Sequence, residues 1–277
     1  MIKELLKINI SILVLITCYI GYYLGLRHTG MKMVEFDSWI VFFYLMIGTF
    51  ISSSGASILN QYIEREYDSM MNRTKNRPIP TKKIKPKNAL ILGVILSLLG
   101  PLVLIAKVNL LTGIISLLTV FIYIFIYTPS KRYTPFNTII GSIPGALPPV
   151  GGWAAATGKI DIQALMLFGI LFCWQIPHFL SLAIIYKDDY KRGGFKMLPS
   201  ISKNVNEVSF QILFFTMALL YTSVGIYFLN LTSYVYVVGA VLLGSGYAVM
   251  KYTNRYDAFI EEINRTLDFT SSARYKM

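Results

Sequence analysis

Long apolar runs separated by short polar segments dominate this chain. Eight runs come close to the length of about 20 residues with which a helix crosses a bilayer. The eight predicted membrane-spanning helices are 8–26, 39–59, 89–106, 110–127, 138–156, 162–185, 208–229 and 234–250. The pattern predicts an all-α, polytopic membrane helical bundle. Residues 1–253 would form one transmembrane domain, and residues 254–277 a polar cytosolic tail.

Composition and charge placement support the membrane class. The chain is 55% hydrophobic and 14% charged, whereas about a quarter of the residues in a soluble domain are charged. With the N-terminus in the cytosol, all but four of the 26 lysines and arginines lie on the cytosolic side, and the exceptions are Arg27, Lys32, Lys107 and Lys159. Basic loops favour the cytosol, so the net charge of +12 indicates topology and not nucleic-acid binding.

The end of the second predicted span carries a regular series of oxygen-bearing side chains. Asn60, Glu64 and Asp68 recur every four residues, which places them on one face if the helix continues past the membrane edge. Neighbouring carboxylates repel unless a cation lies between them, and oxygen ligands suit Mg²⁺. Three basic residues suited to phosphate oxygens follow closely: Arg73, Lys75 and Arg77. The pattern indicates a site for Mg²⁺ and a diphosphate, and the alternative is a solvated, charged helix end.

Two more polar patches follow on the same predicted side. The sixth span leads into Asp188 and Asp189, and two carboxylate clusters across one cavity could hold two metal ions on one diphosphate. Four helices separate this patch from the first, which suggests two similar halves facing each other. Lys131 and Arg132 follow the fourth span and are suited to grip a leaving diphosphate. The alternatives are a salt-bridged loop for the acidic patch and simple membrane anchoring for the basic pair.

One ionisable side chain lies well inside a predicted span. His178 precedes Lys187 by roughly 13 Å of helix, and an ionisable group at that depth is a functional hypothesis by default. Imidazole is a common ligand of haem iron. The alternative is a neutral histidine bonded to a neighbouring helix or to the carbonyl that Pro177 frees. The fifth span is rich in glycine and proline and is predicted to form a cavity wall.

Taken together, these motifs resemble a known family. The Asn-x3-acid-x3-Asp series, the Tyr127-x3-Lys131 motif and the acidic patch after the sixth span resemble the UbiA-type prenyltransferase superfamily over residues 5–250. The stretches RTKNRP, TPFNTIIGSIPGALPPVGGWAAATG and CWQIPHFLSLAI are most similar to its haem O synthase branch. The chain departs from that pattern where Lys-Pro-Arg is replaced by Lys7-Ile8-Asn9 and where glutamate replaces aspartate at Glu64 and Glu66. The family's ninth helix is also expected to be truncated.

The resemblance implies that the chain transfers farnesyl from farnesyl diphosphate to a vinyl group of haem B, giving haem O. The residues expected to bind Mg²⁺ are Asn60, Glu64, Asp68 and Asp189. The residues expected to assist diphosphate departure are Lys131, Arg132, Arg73 and Arg77. The residues expected to bind substrate are His178, Trp174, Gln175, Tyr127, Asn137 and Lys75. The cytosolic side of the cell membrane is the expected location of the site.

The sequence allows several partners and two alternative functions. The expected partners are farnesyl diphosphate, haem B and the lipid bilayer, without nucleic acid, and further expectations are a homo-oligomer or a complex with a haem A synthase. One alternative is a UbiA-type aromatic prenyltransferase of quinone biosynthesis. The other is a non-enzymatic membrane protein that handles or transports haem.

Overall fold

The computed structural model of the chain describes residues 1–202 and 205–252, with the backbone alone for Val205 and residues 247–252. In chain order the helices are α1 Ile2–Leu5, α2 Ile8–Thr29, α3 Phe36–Met70, α4 Pro86–Lys107, α5 Leu110–Phe121, a π-helical turn Ile122–Tyr127, α6 Thr128–Tyr133, α7 Asn137–Thr157, α8 Ile162–Ile185, α9 Lys187–Arg192, α10 Leu198–Ile201, α11 Val205–Phe228 and α12 Tyr234–Tyr252. The predicted polar tail, residues 254–277, lies outside the described residues.

Within the described residues, six helical segments are long and apolar enough to cross a membrane: Ile8–Thr29, Phe36–Met70, Pro86–Lys107, Leu110–Tyr133, Ile162–Ile185 and Asn206–Phe228. The chain is therefore a multi-pass, all-helical membrane protein, as the hydrophobic pattern predicted. The other two predicted spans are helical too, but α7 is less apolar, and the part of α12 described with side chains, Tyr234–Gly246, is a shorter apolar stretch. Eight crossings, a cytosolic N-terminus and two similar halves stay predictions.

Close contacts between helix backbones bring α2, α3, α4 and α7 together. A Cβ atom at Gly21 would lie 2.0 Å from the carbonyl oxygen of Pro149, and one at Gly152 would lie 1.9 Å from that of Cys18. A Cβ atom at Gly55 would similarly lie 2.3 Å from a backbone nitrogen of α4. A side chain at any of these positions would force the helices apart. Such small-residue packing suits a membrane, where apolar burial between helices gains little over contact with lipid.

A π-helical turn redirects the chain after α5. Thr128 donates to the carbonyl oxygen of Tyr123, five residues earlier, through both its backbone N–H and its hydroxyl, the latter at 2.7 Å. Pro129 has no N–H with which to continue the regular ladder. A wider turn of this kind is frequent at functional sites. Here it leaves Tyr123, Tyr127 and Lys131 facing one cavity.

The helix α7 forms one wall of that cavity, as its composition predicted. It is continuous from Asn137 to Thr157 although it contains Pro144, Pro148 and Pro149. Prolines within a helix leave carbonyl groups without their usual donors, and a cavity or a neighbouring helix can tolerate this. Glycines and prolines on one face of α7 line the cavity at Gly141, Pro144, Gly145, Pro148 and Gly151. The small side chains on this face therefore leave room inside the bundle.

Candidate active site

A cavity of about 1260 Å³ opens between α2, α3, α5, α7 and α8. Ten of the predicted site residues line it: Asn60, Glu64, Asp68, Arg73, Arg77, Tyr127, Lys131, Trp174, Gln175 and His178. Four predicted site residues are not part of its lining: Lys75, Arg132, Asn137 and Asp189. The cavity thus unites the series of oxygen ligands with the histidine of α8, which lies more than 100 residues later in the chain.

The α3 oxygen face consists of Asn60, Glu64 and Asp68. Because α3 continues to Met70, as the four-residue spacing required, all three side chains point into the cavity. Their exposed fractions are only 1%, 5% and 0%. Glu66, which is out of this register, is exposed. Buried carboxylates are costly unless they are paired, so the surroundings of the α3 oxygen face must supply cations.

Two cations from later in the chain pair with the carboxylates of the α3 oxygen face. Lys131 donates from Nζ to Glu64 Oε1 at 2.7 Å. Arg77 donates from Nη1 to both oxygens of Asp68, at 2.9 and 2.7 Å. The Lys131 ammonium also lies 4.6 Å from the ring centre of Tyr127. Basic groups predicted to bind a diphosphate are therefore already in contact with the predicted metal ligands.

Lys7 joins the α3 oxygen face from the connection between α1 and α2, which the sequence did not predict. Its Nζ donates to Asn60 Oδ1 at 2.8 Å. Its backbone is left-handed, with φ at +47°, which is uncommon outside glycine and often marks a functional position. Burial, and next the charge of Arg77, lower the pKa of Lys7 to about 7. A cation just before the first span is equally expected from positive-inside placement, so the pattern gave no separate signal for this contact.

Asp189 lies beside the cavity and holds the loop that follows α3. Its two carboxylate oxygens accept from the backbone N–H groups of Asn72 and Arg73, each at 3.1 Å, and one oxygen also pairs with Arg192. Burial alone would raise the pKa of Asp189, but the hydrogen bonds from Arg192, Arg73 and Asn72 outweigh it, and the pKa is lowered. The second acidic patch therefore contacts the loop after α3 through backbone N–H groups of that loop. Its predicted role as a metal ligand stays a prediction.

The basic loop after α3 divides its side chains between cavity and solvent. Arg73 lines the cavity, lies 4.8 Å from the ring centre of Tyr186 and donates to the hydroxyl of Tyr190 at 3.3 Å. Lys75 is exposed and donates to Asn72 Oδ1 at 3.2 Å. Of these two cations, Arg73 is the one positioned to meet a ligand in the cavity.

Arg132 and Asn137 organise the surroundings of the cavity. Arg132 donates to the hydroxyl of Tyr67, and its guanidinium lies 4.7 Å from the centre of that ring. Asn137, fully buried at the start of α7, donates to the carbonyl oxygens of Thr134 and Lys196, at 2.6 and 2.9 Å. Both residues thus tie neighbouring segments together and lie outside the lining of the cavity.

The helix α8 contributes uncharged and aromatic groups to the cavity. Trp174 and His178 stack with ring centres 5.0 Å apart and an angle of 10° between their planes. Gln175 is buried and donates to the carbonyl oxygen of Leu171 at 3.2 Å. Gly145 of α7 makes room for this amide, since a Cβ atom there would lie 1.9 Å from Gln175 Oε1. An apolar, ring-shaped ligand could contact this wall while a charged group contacts α3.

The donor set suits a divalent cation that is shared with a substrate. Among the described residues, no group of three histidine, cysteine, aspartate or glutamate side chains could hold a metal ion alone. The α3 oxygen face offers two carboxylates and one amide oxygen on successive turns of one helix. Mg²⁺ commonly binds through one or two carboxylates, retained waters and substrate phosphates. The residues present therefore fit a magnesium ion shared with a diphosphate.

Comparison with known proteins identifies the class. The model of the UbiA prenyltransferase family matches residues 14–269, and this chain belongs to that family. Among its curated relatives is the protoheme IX farnesyltransferase of Solibacter usitatus, which is 40% identical over 250 residues, covering 87% of this chain and 83% of that protein. The protoheme IX farnesyltransferase of Salinibacter ruber is 39% identical over 240 residues, covering 87% of this chain and 82% of that protein.

Solved structures share the fold at low sequence identity. A UbiA homologue from Archaeoglobus fulgidus, bound to DMAPP and Mg²⁺, superimposes with a TM-score of 0.66 and 14% identity over 91% of this chain and 86% of that chain. A closer superposition is found with a digeranylgeranylglyceryl phosphate synthase, at a TM-score of 0.74 and 18% identity over 97% of this chain and 92% of that chain. These likenesses establish the helical architecture.

Proposed function

We propose that this chain transfers the farnesyl group of farnesyl diphosphate to a vinyl group of haem B and produces haem O. The observation that carries the proposal is a single cavity that joins the α3 oxygen face and its cations to the aromatic wall of α8. Relatives named protoheme IX farnesyltransferase, similar over most of their length, support this choice of substrates. The reaction would take place at the cytosolic side of the cell membrane, where the positive-inside pattern puts the basic loops.

The diphosphate would bind at the α3 oxygen face and the cations around it. Asn60, Glu64 and Asp68 would hold Mg²⁺, which when bound neutralises charge on the diphosphate. Lys131 and Arg77 are within reach of the same place, and both can donate to phosphate oxygens. These donors stabilise the negative charge that develops on the departing diphosphate. The allylic C–O bond breaks with its electron pair departing on the diphosphate.

The apolar bundle would protect the carbon skeleton while the new bond forms. Tyr123 and Tyr127 line the cavity next to Lys131, and the negative faces of such rings favour a neighbouring cation. The terminal vinyl carbon of haem B attacks the first carbon of the farnesyl chain, which moves the positive charge to the adjacent vinyl carbon. Water then adds there and loses a proton, leaving a hydroxyethylfarnesyl group. Exclusion of water until that step prevents simple hydrolysis of the diphosphate.

The acceptor would lie against α8. Trp174 and His178 present a stacked, accessible pair to the cavity, which suits a large planar aromatic ligand. Imidazole can also ligate haem iron. The buried amide of Gln175 would provide a hydrogen-bonding group beside this pair. His178 and Trp174 would therefore orient the vinyl group of haem B toward the bound farnesyl chain.

Purified protein in lipid nanodiscs, supplied with farnesyl diphosphate, haem B and Mg²⁺, tests the proposed function. Mass spectrometry should detect haem carrying a hydroxyethylfarnesyl group, together with released diphosphate, and a chelator should abolish both. Prenylation of a hydroxybenzoate or naphthoate in place of haem B would indicate the quinone branch of the family. Haem binding without diphosphate release would indicate a haem-handling protein.

A further inference from the structure

Three cations hold the three side chains of the α3 oxygen face, and each comes from a different part of the chain. Lys7 lies between α1 and α2, Lys131 lies in α6, and Arg77 lies in the loop after α3. We refer to them as the three pairing cations. Their contacts occupy the only oxygen of the Asn60 amide, one oxygen of Glu64 and both oxygens of Asp68. The atoms that would bind a divalent cation are thus largely engaged within the chain.

The charge of this cluster opposes a metal ion that arrives alone. Arg77 and Lys131 already balance the two carboxylates of the α3 oxygen face, and Lys7 lies beside them. A divalent cation alone would therefore leave an excess of positive charge in a buried region, where charges interact strongly. A diphosphate brings negative charge that balances both the ion and the three pairing cations.

Lys7 is attached by backbone contacts that do not depend on its own ammonium group. Gln61, the residue after Asn60 in α3, donates to the carbonyl oxygen of Leu5 at 2.7 Å and so fastens the segment before Lys7. Leu5 itself is buried against Ile58 of α3. The ammonium of Lys7 can therefore change partner while its segment stays in place.

We propose that the three pairing cations hold the α3 oxygen face until a diphosphate arrives and then release these oxygens to the metal as they take up the diphosphate. This proposal rests on the proposed function and adds Lys7 to its site. Metal and diphosphate then bind as a coupled pair, and each raises the affinity for the other by the same factor. A metal ion that reaches the protein alone binds weakly, since it must displace the three pairing cations from the oxygens that they hold without supplying an anion in exchange.

The test measures metal affinity with and without diphosphate in the full-length protein, held in nanodiscs of phosphatidylcholine. Electron paramagnetic resonance follows Mn²⁺ titrated into the empty protein and into protein saturated with inorganic pyrophosphate, where the bound species is the complex of Mn²⁺ with pyrophosphate. The affinity of the wild type for free Mn²⁺ should be roughly 5- to 150-fold higher with pyrophosphate bound, the usual range of coupling between sites. Lys7→Met should bind Mn²⁺ alone more tightly than the wild type and the complex more weakly, so that the two affinities converge.

Matched variants show whether the Lys7 ammonium changes partner or only positions Asn60. Lys7→Arg keeps the charge and should keep the coupling, and Lys83→Met, at an exposed position outside the lining of the cavity, should behave as the wild type. Lys7→Gln keeps a donor for Asn60 without the charge and should reproduce Lys7→Met even if the methionine variant fails to insert.

Three outcomes would overturn the inference. An equal affinity of the wild type for free Mn²⁺ with and without bound pyrophosphate would remove the coupling and leave the proposed function intact. Weaker binding of Mn²⁺ alone by both Lys7→Met and Lys7→Gln would make Lys7 a residue that only positions Asn60. Binding of neither probe by the wild type would remove the metal site itself, and with it the magnesium step of the proposed function.

Discussion

The helices α3 and α8 both lead from the apolar bundle into an acidic segment, yet the carboxylates of the two segments lie in different places. Glu64 and Asp68 lie within α3, which continues to Met70, and they face the cavity in contact with cations. α8 ends at Ile185, before its carboxylates, and Asp189 turns to the backbone of the loop after α3. The uninterrupted α3 therefore fixes where its carboxylates point, whereas Asp189, in the short separate helix α9, is placed by tertiary contacts.

The two helices also differ in what they present to the cavity. The face of α3 is anionic and surrounded by cations, while α8 contributes Trp174, Gln175 and His178. If α3 binds the diphosphate and α8 binds the acceptor, substitutions on the two helices should affect different binding events. The predictions below test that separation.

Asp68→Asn should have the largest effect. The substitution removes a negative charge from the α3 oxygen face and leaves Arg77 without a carboxylate partner. Formation of haem O should fall by on the order of 100-fold or more, as is usual when an electrostatic group that assists the transition state is removed. Mass spectrometry of haems in membranes measures this loss, and an immunoblot of the membrane fraction checks insertion. Haem B affinity should stay unchanged, and turnover within twofold of the wild type would remove Asp68 from the metal site.

His178→Ala should have an intermediate effect, directed at the acceptor. Loss of the ring stacked on Trp174 should weaken haem B binding by ~10-fold, equivalent to ~1.4 kcal/mol. Absorbance titration of purified protein with haem B measures this change. Binding of the complex of Mn²⁺ with pyrophosphate should match the wild type. An unaltered haem affinity together with an unaltered Soret band would exclude His178 as a haem ligand.

The sequence predicted the features that depend on local periodicity. Apolar runs indicated the helices of the bundle, and the spacing of Asn60, Glu64 and Asp68 indicated one face of a continuous helix. Both signals depend only on helical geometry. The glycine- and proline-rich span was also correctly interpreted as a cavity wall.

Features set by distant parts of the chain could not be predicted in this way. Lys7 reaches Asn60 across 53 positions, and its presence before the first span is fully accounted for by membrane topology. The direction of Asp189 depends on two backbone N–H groups more than 100 residues earlier. The π-helical turn depends on Thr128 and Pro129, a pair that in sequence also suits an ordinary turn.

Asp189→Asn should have the smallest effect, and it tests the contrast between the two helices directly. An asparagine keeps one acceptor oxygen, so one of the N–H groups of Asn72 and Arg73 loses its partner, at a cost of ~1–3 kcal/mol. The loop after α3 should then loosen, which limited proteolysis between residues 71 and 85 detects. Haem O formation should fall by less than ~10-fold, since the affected contact lies behind the cavity and is comparable to a single hydrogen bond.

The neighbouring Asp188 provides the matched control for this prediction. Its side chain is exposed, so Asp188→Asn makes the same chemical change without touching the loop and should retain wild-type turnover and proteolysis. If Asp189→Asn instead lost as much activity as Asp68→Asn, together with binding of the complex of Mn²⁺ and pyrophosphate, Asp189 would be a metal ligand. Both acidic segments would then supply carboxylates to metal bound by one diphosphate. The Asp189 carboxylate would have to leave the backbone N–H groups of the loop and bind the metal when substrate arrives.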